Sequence, residues 1–229
     1  MLGQDQESDA RARIYLQPIA APSILGLYGL AGATFLAGAY AAHWFGEPSA
    51  ALYLFPFVTI FGGLAQFLAS MWAFKARDGV ATAIHGTWGS FWIAFGVLNF
   101  LFATGRATQP TGTWPSMGFW FIVVAAISWV GMIAATAQNR GLVTVMTFLA
   151  SASTTGAIGA FLGIDWLMIL TGWLFVVAAI AAWYTASALM LEEAFGHEMW
   201  GLGKSRHAKE LSPISSGAGE PGVIRGQAS

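Results

Sequence analysis

The sequence predicts an all-α membrane protein, with six transmembrane helices in one bundle. Three observations carry that expectation. The 229 residues are 56% hydrophobic and only 9% charged, against roughly 25% charged in soluble domains. Glycine is abundant, at 28 residues, as expected where membrane helices pack closely. Six stretches reach the ~20 mostly apolar residues that a crossing helix needs.

Those stretches are 23–44, 51–74, 80–102, 118–138, 142–163 and 166–191. Gly46, Glu47 and Pro48 end the first, and Lys75 to Gly79 form a tight basic turn after the second. Arg106, Pro110, Gly112 and Pro115 mark a longer third loop. Asn139, Arg140 and Gly141 make the fourth turn, and Asp165 sits in the short fifth. Such connections leave no room for an extramembrane domain. The expected organisation is a cytoplasmic segment over 1–20, the membrane domain over 21–200 and a disordered cytoplasmic tail over 201–229, rich in Ser and Gly. Asp5, Glu7, Asp9, Arg11 and Arg13 near the start are unlike a cleavable signal peptide.

Basic residues set the orientation. Arg11, Arg13, Lys75, Arg77, Arg140, Lys204, Arg206, Lys209 and Arg225 fall on the side of both termini, and only Arg106 falls on the other. Both termini are therefore expected in the cytoplasm, with the chain in the plasma (inner) membrane. Trp44, Trp114, Trp166 and Trp200 lie near span ends, as interfacial anchors do.

Composition also excludes functions. The absence of cysteine removes disulfides, Fe–S clusters and thiol nucleophiles. Ten Lys+Arg against eleven Asp+Glu leave no basic face for nucleic acid. No Asp, Glu, Lys or Arg lies deep in a span. There is thus no lysine for a retinal Schiff base, no carboxylate relay, and no His pair at i, i+4 for a metal. We expect no enzyme activity, catalytic residue, metal or cofactor.

An intramembrane ionisable group is a functional candidate by default. His85, near the start of the third span, either bonds to a helix neighbour or handles protons. His43 falls at the end of the first span, where an interfacial role suffices. The other polar groups are uncharged, among them Gln66, Asn99, Ser153, Thr155, Thr171 and Ser187. Singly such residues join helices. Together they suit a narrow path for a small uncharged or weakly anionic solute. His85, Trp88, Trp92, Gly96 and Asn99 share one face of the third span; periodicity alone favours helix packing for that stripe over a constriction. Gly159 and Gly163, Ala65 and Ala69, and Gly29 and Ala33 have small-residue spacing that permits close helix contacts, within one bundle or between subunits.

Specific strings go further. Gly62-Gly63-Leu64-Ala65-Gln66-Phe67-Leu68-Ala69-Ser70, then a basic turn, then Trp88-Gly89-Ser90-Phe91-Trp92, resemble the acetate uptake transporter family of succinate–acetate permeases and fungal acetate channels. That family has G-G-x-x-Q-x-x-A-G and Y-G-x-F-W at these places. Ala21-Pro22-Ser23-Ile24-Leu25-Gly26-Leu27 matches the family's Asn-Pro-Ala-Pro-Leu-Gly-Leu, and Glu193-Ala194-Phe195-Gly196 its E-x-F-G. The resemblance covers roughly residues 20–200. It implies a homo-hexamer with one path per protomer, passing acetate and related short carboxylates such as succinate, often with a proton. It also implies a constriction at Leu30, Trp88 and Leu149. Here Trp88 replaces the family's Tyr, Ala21 its Asn, Ile24 a Pro, Ala73 a common Glu and His85 a usual Phe.

The residues supply a physical reading of that path. Pro22 opens the first helix, so the free N–H groups around Pro22, Ser23, Leu25 and Gly26 offer an anion site at the mouth. Gln66 can donate to a carboxylate, accept from a carboxylic acid, or bridge helices. Trp92 is a further candidate for solute contact. A neck of Leu30, Trp88 and Leu149 favours the neutral acid over the anion, because bare charge is costly to desolvate. The proton then travels with the solute, the favoured route, or on His85. The alternatives to a carboxylate channel are a channel for small neutral amides such as urea and a non-transporting scaffold.

Overall fold

The computed structural model describes residues 20–46, 50–76 and 78–205. The expectations placed on 1–19, on the Arg77 turn and on the tail from 206 lie outside these residues. The described chain is helical throughout its spans: α1 (Pro22–Ala41), α2 (Ala50–Phe57), a π-helical stretch (Val58–Ala65), α3 (Gln66–Ala76), α4 (Gly79–Ala103), α5 (Pro115–Ala135), α6 (Arg140–Leu162) and α7 (Asp165–Phe195). Among the described residues, six runs are long and apolar enough to cross a membrane, the second being Leu52–Ala76. The chain is an integral membrane protein.

Local chemistry explains each boundary. Proline opens α1 and α5, where its missing N–H removes no bond. The Asp78 carboxylate accepts from the Ala81 N–H at 2.9 Å and caps α4, and the Asn139 side-chain oxygen accepts from the Leu142 N–H at 2.8 Å and caps α6. Gly163 and Gly196 end α6 and α7 in the left-handed region, with φ of 65° and 73°. The second span is the irregular one. Pro56 inside α2 lacks the N–H that continues an α-register, and the π-helical stretch follows two residues later. Sequence periodicity gave no sign of it.

The helices form a closed ring in chain order. α1 packs on the second span, the second span on α4, α4 on α5, α5 on α6, α6 on α7, and α7 back on α1. Glycine sets the closest approach. A Cβ on Gly172 of α7 would stand 2.5 Å from the Ala42 backbone nitrogen at the end of α1. Gly29 and Ala33 face the π-helical stretch, against the Phe61 carbonyl and Gly62. Gly159 meets Leu167 and Met168 of the same bundle, while Gly163 is the C-cap of α6. The expected Gly159/Gly163 packing face is therefore corrected: the second glycine serves a turn.

Residues 201–205, expected to open the tail, are docked. Leu202 is 2% exposed, and its carbonyl accepts from the Arg140 N–H at 3.0 Å. Lys204 pairs with Glu192, the Ser205 N–H donates to Gln138, and the Trp200 ring stacks on Tyr184. The apolar Leu202 and these backbone bonds hold a segment that its Gly and Ser content alone would leave free. At the ends of the spans, Trp44 and Trp166 are exposed, as is His43, whose φ of 60° closes α1.

Candidate functional site

α1, α4 and α6 all begin at the end of the bundle where α7 finishes, the terminal end. Leu30, Trp88 and Leu149 stand eight, nine and nine residues in from the first residues of these helices. At 1.5 Å per residue that is about 12–14 Å for each. The three side chains therefore lie at similar depths from the starts of their own helices. All are fully buried and belong to one core cluster.

Two cavities border α4. The terminal cavity, of about 180 Å³, is lined by Ser23 and Leu27 of α1, Asp78, Ile84 and His85 at α4, Gln138 and Asn139 before α6, and Thr185 and Leu189 of α7. The outer cavity, of about 540 Å³, is lined by Phe91, Phe95 and Leu98 of α4 and by Trp114, Met117 and Trp120 at α5. Along α4, His85 borders one and Phe91 the other, about 9 Å apart by helical rise, with Trp88 between them. Leu30, Trp88 and Leu149, the candidate neck, line neither cavity, and the outer one lies between α4, the loop that follows it and α5.

The neck tryptophan is fixed in place. Its indole N–H donates to the Ser128 hydroxyl at 3.1 Å, with both residues buried. Its ring meets Phe91 at 5.2 Å and Phe175 of α7 at 6.1 Å, both edge-on. The stripe on the third span is buried throughout, at His85, Trp88, Trp92, Gly96 and Asn99, and at Gly96 it packs against Thr59 and the Phe55 carbonyl of the second span.

Polar atoms lie one helical turn to either side. Toward the terminal cavity, His85 is 3% exposed and seated on Gly26, where a Cβ would come within 2.5–2.6 Å of three ring atoms. The Gln66 Nε2 lies 3.4 Å from the His85 Nδ1. Toward the outer cavity stand Thr34 and Trp92, four residues beyond Leu30 and Trp88, together with Ser153, whose hydroxyl donates to the Leu149 carbonyl. Among the described residues, three buried side-chain polar atoms have no partner: Thr34 Oγ1, Gln66 Oε1 and Trp92 Nε1. Each such atom costs about 1–3 kcal/mol if left dry.

The mouth combines helix ends. The first turn of α1 has no side-chain cap, and its Ala21 and Ser23 line the terminal cavity beside the caps of α4 and α6. Three positive helix termini thus converge on one opening. Of the described lining residues, Asp78 and His85 are the ionisable ones.

The structure sets His85 on Gly26 and beside Gln66, places Ser23 with His85 at the terminal cavity, packs Trp88 against Trp92, and puts Leu30 and Leu149 in the same core cluster as Trp88. It turns Leu25 away: that side chain is 45% exposed and borders neither cavity, because it lies a quarter turn from Gly26 on α1. Pro22 serves to start the helix and does not line the cavity. Sequence reasoning missed Ser128, Thr34 and the two capping residues. Ser128 had a signal, as the lone hydroxyl in the apolar run 118–135.

The comparisons with known proteins follow this geometry. The sequence matches the GPR1/FUN34/yaaH family over residues 4–196. A solved structure described as that of the bacterial acetate channel SatP superposes with a TM-score of 0.74 and 22% identity, covering 81% of this chain and 100% of that one. At that identity the likeness establishes the fold. No curated protein matches the sequence.

Proposed function

The chain belongs to the GPR1/FUN34/yaaH family, and from that premise we propose that it is a membrane channel or permease for acetate and related short-chain carboxylates. The reading is supported by the fully buried apolar side chains of Leu30, Trp88 and Leu149 in one core cluster, together with the unpartnered buried polar atoms of Thr34, Gln66 and Trp92. A methyl-bearing solute suits Leu30, Trp88 and Leu149, while its carboxyl group meets Gln66 and His85 before the neck and Trp92 after it. The likeness to a protein described as an acetate channel supports the same solute class.

The solute crosses with its proton. The converging helix ends draw the anion to the terminal mouth, and the neck passes the neutral acid because a bare charge there is costly. The terminal end faces the cytoplasm, as the distribution of basic residues supports, and the membrane is the plasma (inner) membrane. Six copies assemble, each with its own path, as the resemblance implies.

Uptake of labelled acetate and labelled urea by vesicles holding the purified protein tests the proposal. Acetate is expected to enter above the protein-free rate. Urea entry without acetate entry would assign the neutral-amide alternative instead.

A further inference from the structure

We propose that residues 200–205 are a strap that keeps the terminal mouth formed, with Leu202 as its positioning residue. The effect on transport rests on the carboxylate reading above; the strap itself does not. After α7 ends at Gly196, the chain turns back to the turn between α5 and α6. The crossing is paired backbone. The Arg140 and Gly141 N–H groups donate to the Leu202 carbonyl at 3.0 and 3.3 Å, and the Ser205 N–H donates to the Gln138 carbonyl at 2.9 Å. Asn139 and Lys204 thus stand opposite each other as an antiparallel pair. The next N–H, that of Leu142, donates to the Asn139 side chain. The first three donors of α6, which no helix bond can reach, are therefore all taken, and two of them depend on the strap.

Side chains tie the strap to α7. The Tyr184 hydroxyl donates to the Gly201 carbonyl at 3.1 Å, its ring stacks on Trp200 at 5.4 Å, and Lys204 pairs with Glu192. Leu202 is the buried anchor, at 2% exposure. A Cβ on Gly141 would stand 2.8 Å from the Thr185 Oγ1, 3.0 Å from the Leu202 Cδ2 and 3.2 Å from the Asn139 Oδ1. Leu202 thus meets a residue of α7 and the cap of α6 at one spot. Thr185, Asn139 and the adjoining Gln138 line the terminal cavity, whereas residues 200–205 do not. The strap therefore acts on the mouth through these lining residues, by holding the 138–139 turn against α7. Solute binds the formed mouth, so a looser strap lowers apparent affinity by the fraction of molecules in which the mouth is formed. Saturating solute restores that fraction, and the maximal rate, set at the neck, is kept.

The chain has no cysteine, so one introduced cysteine is its only thiol. In full-length Thr185→Cys protein in lipid nanodiscs, where both faces meet the reagent, a charged maleimide should label slowly, because position 185 is 1% exposed. Adding Leu202→Ala should speed labelling about tenfold or more, as expected for loss of a buried leucine. Leu202→Met, which keeps the volume, should restore the slow rate. In vesicles holding the protein without the added cysteine, Leu202→Ala should raise the half-saturating acetate concentration about tenfold and keep the maximal rate. Unchanged labelling in a folded Leu202→Ala protein overturns the strap. So does a lower maximal rate at unchanged half-saturation, or a failure of Leu202→Met to rescue. Absence of acetate uptake by the wild type overturns the carboxylate reading instead, and faster labelling with Leu202→Ala, reversed in Leu202→Met, then still supports the strap. If Leu202→Ala does not fold, Lys204→Ala decides: its partly exposed ion pair predicts labelling about two- to threefold faster, and an unchanged rate overturns the strap.

Discussion

Gly26→Ala places a methyl group where the imidazole of His85 already lies. The added Cβ would be 2.5 Å from Cε1 and Nε2 and 2.6 Å from Nδ1. Ordinary contact begins near 3.5 Å, so the ring must move by about 1 Å. At Nδ1 the ring meets the Gln66 amide at 3.4 Å, and it borders the terminal cavity of about 180 Å³. Overpacking of this kind costs about 1–3 kcal/mol. A ring pushed into the cavity also narrows the approach to Gln66 and the neck. Acetate uptake should fall about tenfold, equivalent to ~1.4 kcal/mol on the barrier, with a lower thermal midpoint. The double variant Gly26→Ala/His85→Ala removes the obstruction and should lose less than the two single losses added together, giving a coupling of about 1–3 kcal/mol. The assay is initial-rate uptake into vesicles, with thermal unfolding of the same preparations. A Gly26→Ala protein with wild-type uptake and midpoint refutes the tight seat. A loss that His85→Ala does not relieve shows that Gly26 acts through another neighbour.

Other outcomes follow from the same geometry. Ser128→Ala removes the acceptor of the Trp88 N–H, a loss of about 1 kcal/mol that should loosen the neck and raise passage of propionate relative to acetate. In a Trp88→Phe background, which has no N–H, the Ser128→Ala change should do nothing further. His85→Phe should leave the rise of uptake at acid pH largely intact, because the solute carries the proton. A flat profile between about pH 5 and 7, where imidazole titrates, would make His85 the carrier. A reporter fused after Ser229 should be active only in its cytoplasmic form, and labelling of the tail from outside would overturn the orientation.

The spans were legible because the bilayer imposes length and polarity on them directly. The predicted 80–102 is observed as Gly79–Ala103, and 142–163 as Arg140–Leu162. Helix starts were shifted by caps: Asp78 and Asn139 each begin a helix slightly earlier than the apolar run does. The π-helical stretch was illegible because apolar residues surround it on every face, and no period of 3.6 is broken in the sequence. The stripe on the third span was visible as a face, but periodicity cannot tell a ring interior from a helix–helix seam. The family strings, and not spacing, pointed to Leu30 and Leu149, which are two leucines among many. Leu25 entered the sequence reading through the backbone N–H groups of the first turn, and its side chain faces outward. Ser128 and Thr34 matter through partners, or the lack of one, on other helices, and a one-dimensional reading does not contain those relations.

The central claim is that solute passes the level of Leu30, Trp88 and Leu149, and that the indole of Trp88 sets the size limit. The most direct measurement compares labelled acetate and labelled succinate uptake in wild-type and Trp88→Ala vesicles, with thermal unfolding confirming that the variant, destabilised by about 3–5 kcal/mol, is folded. Removing a fully buried tryptophan at this level should keep acetate passage and increase succinate passage several-fold relative to acetate. The same ratio of succinate to acetate in a folded Trp88→Ala protein would contradict the account.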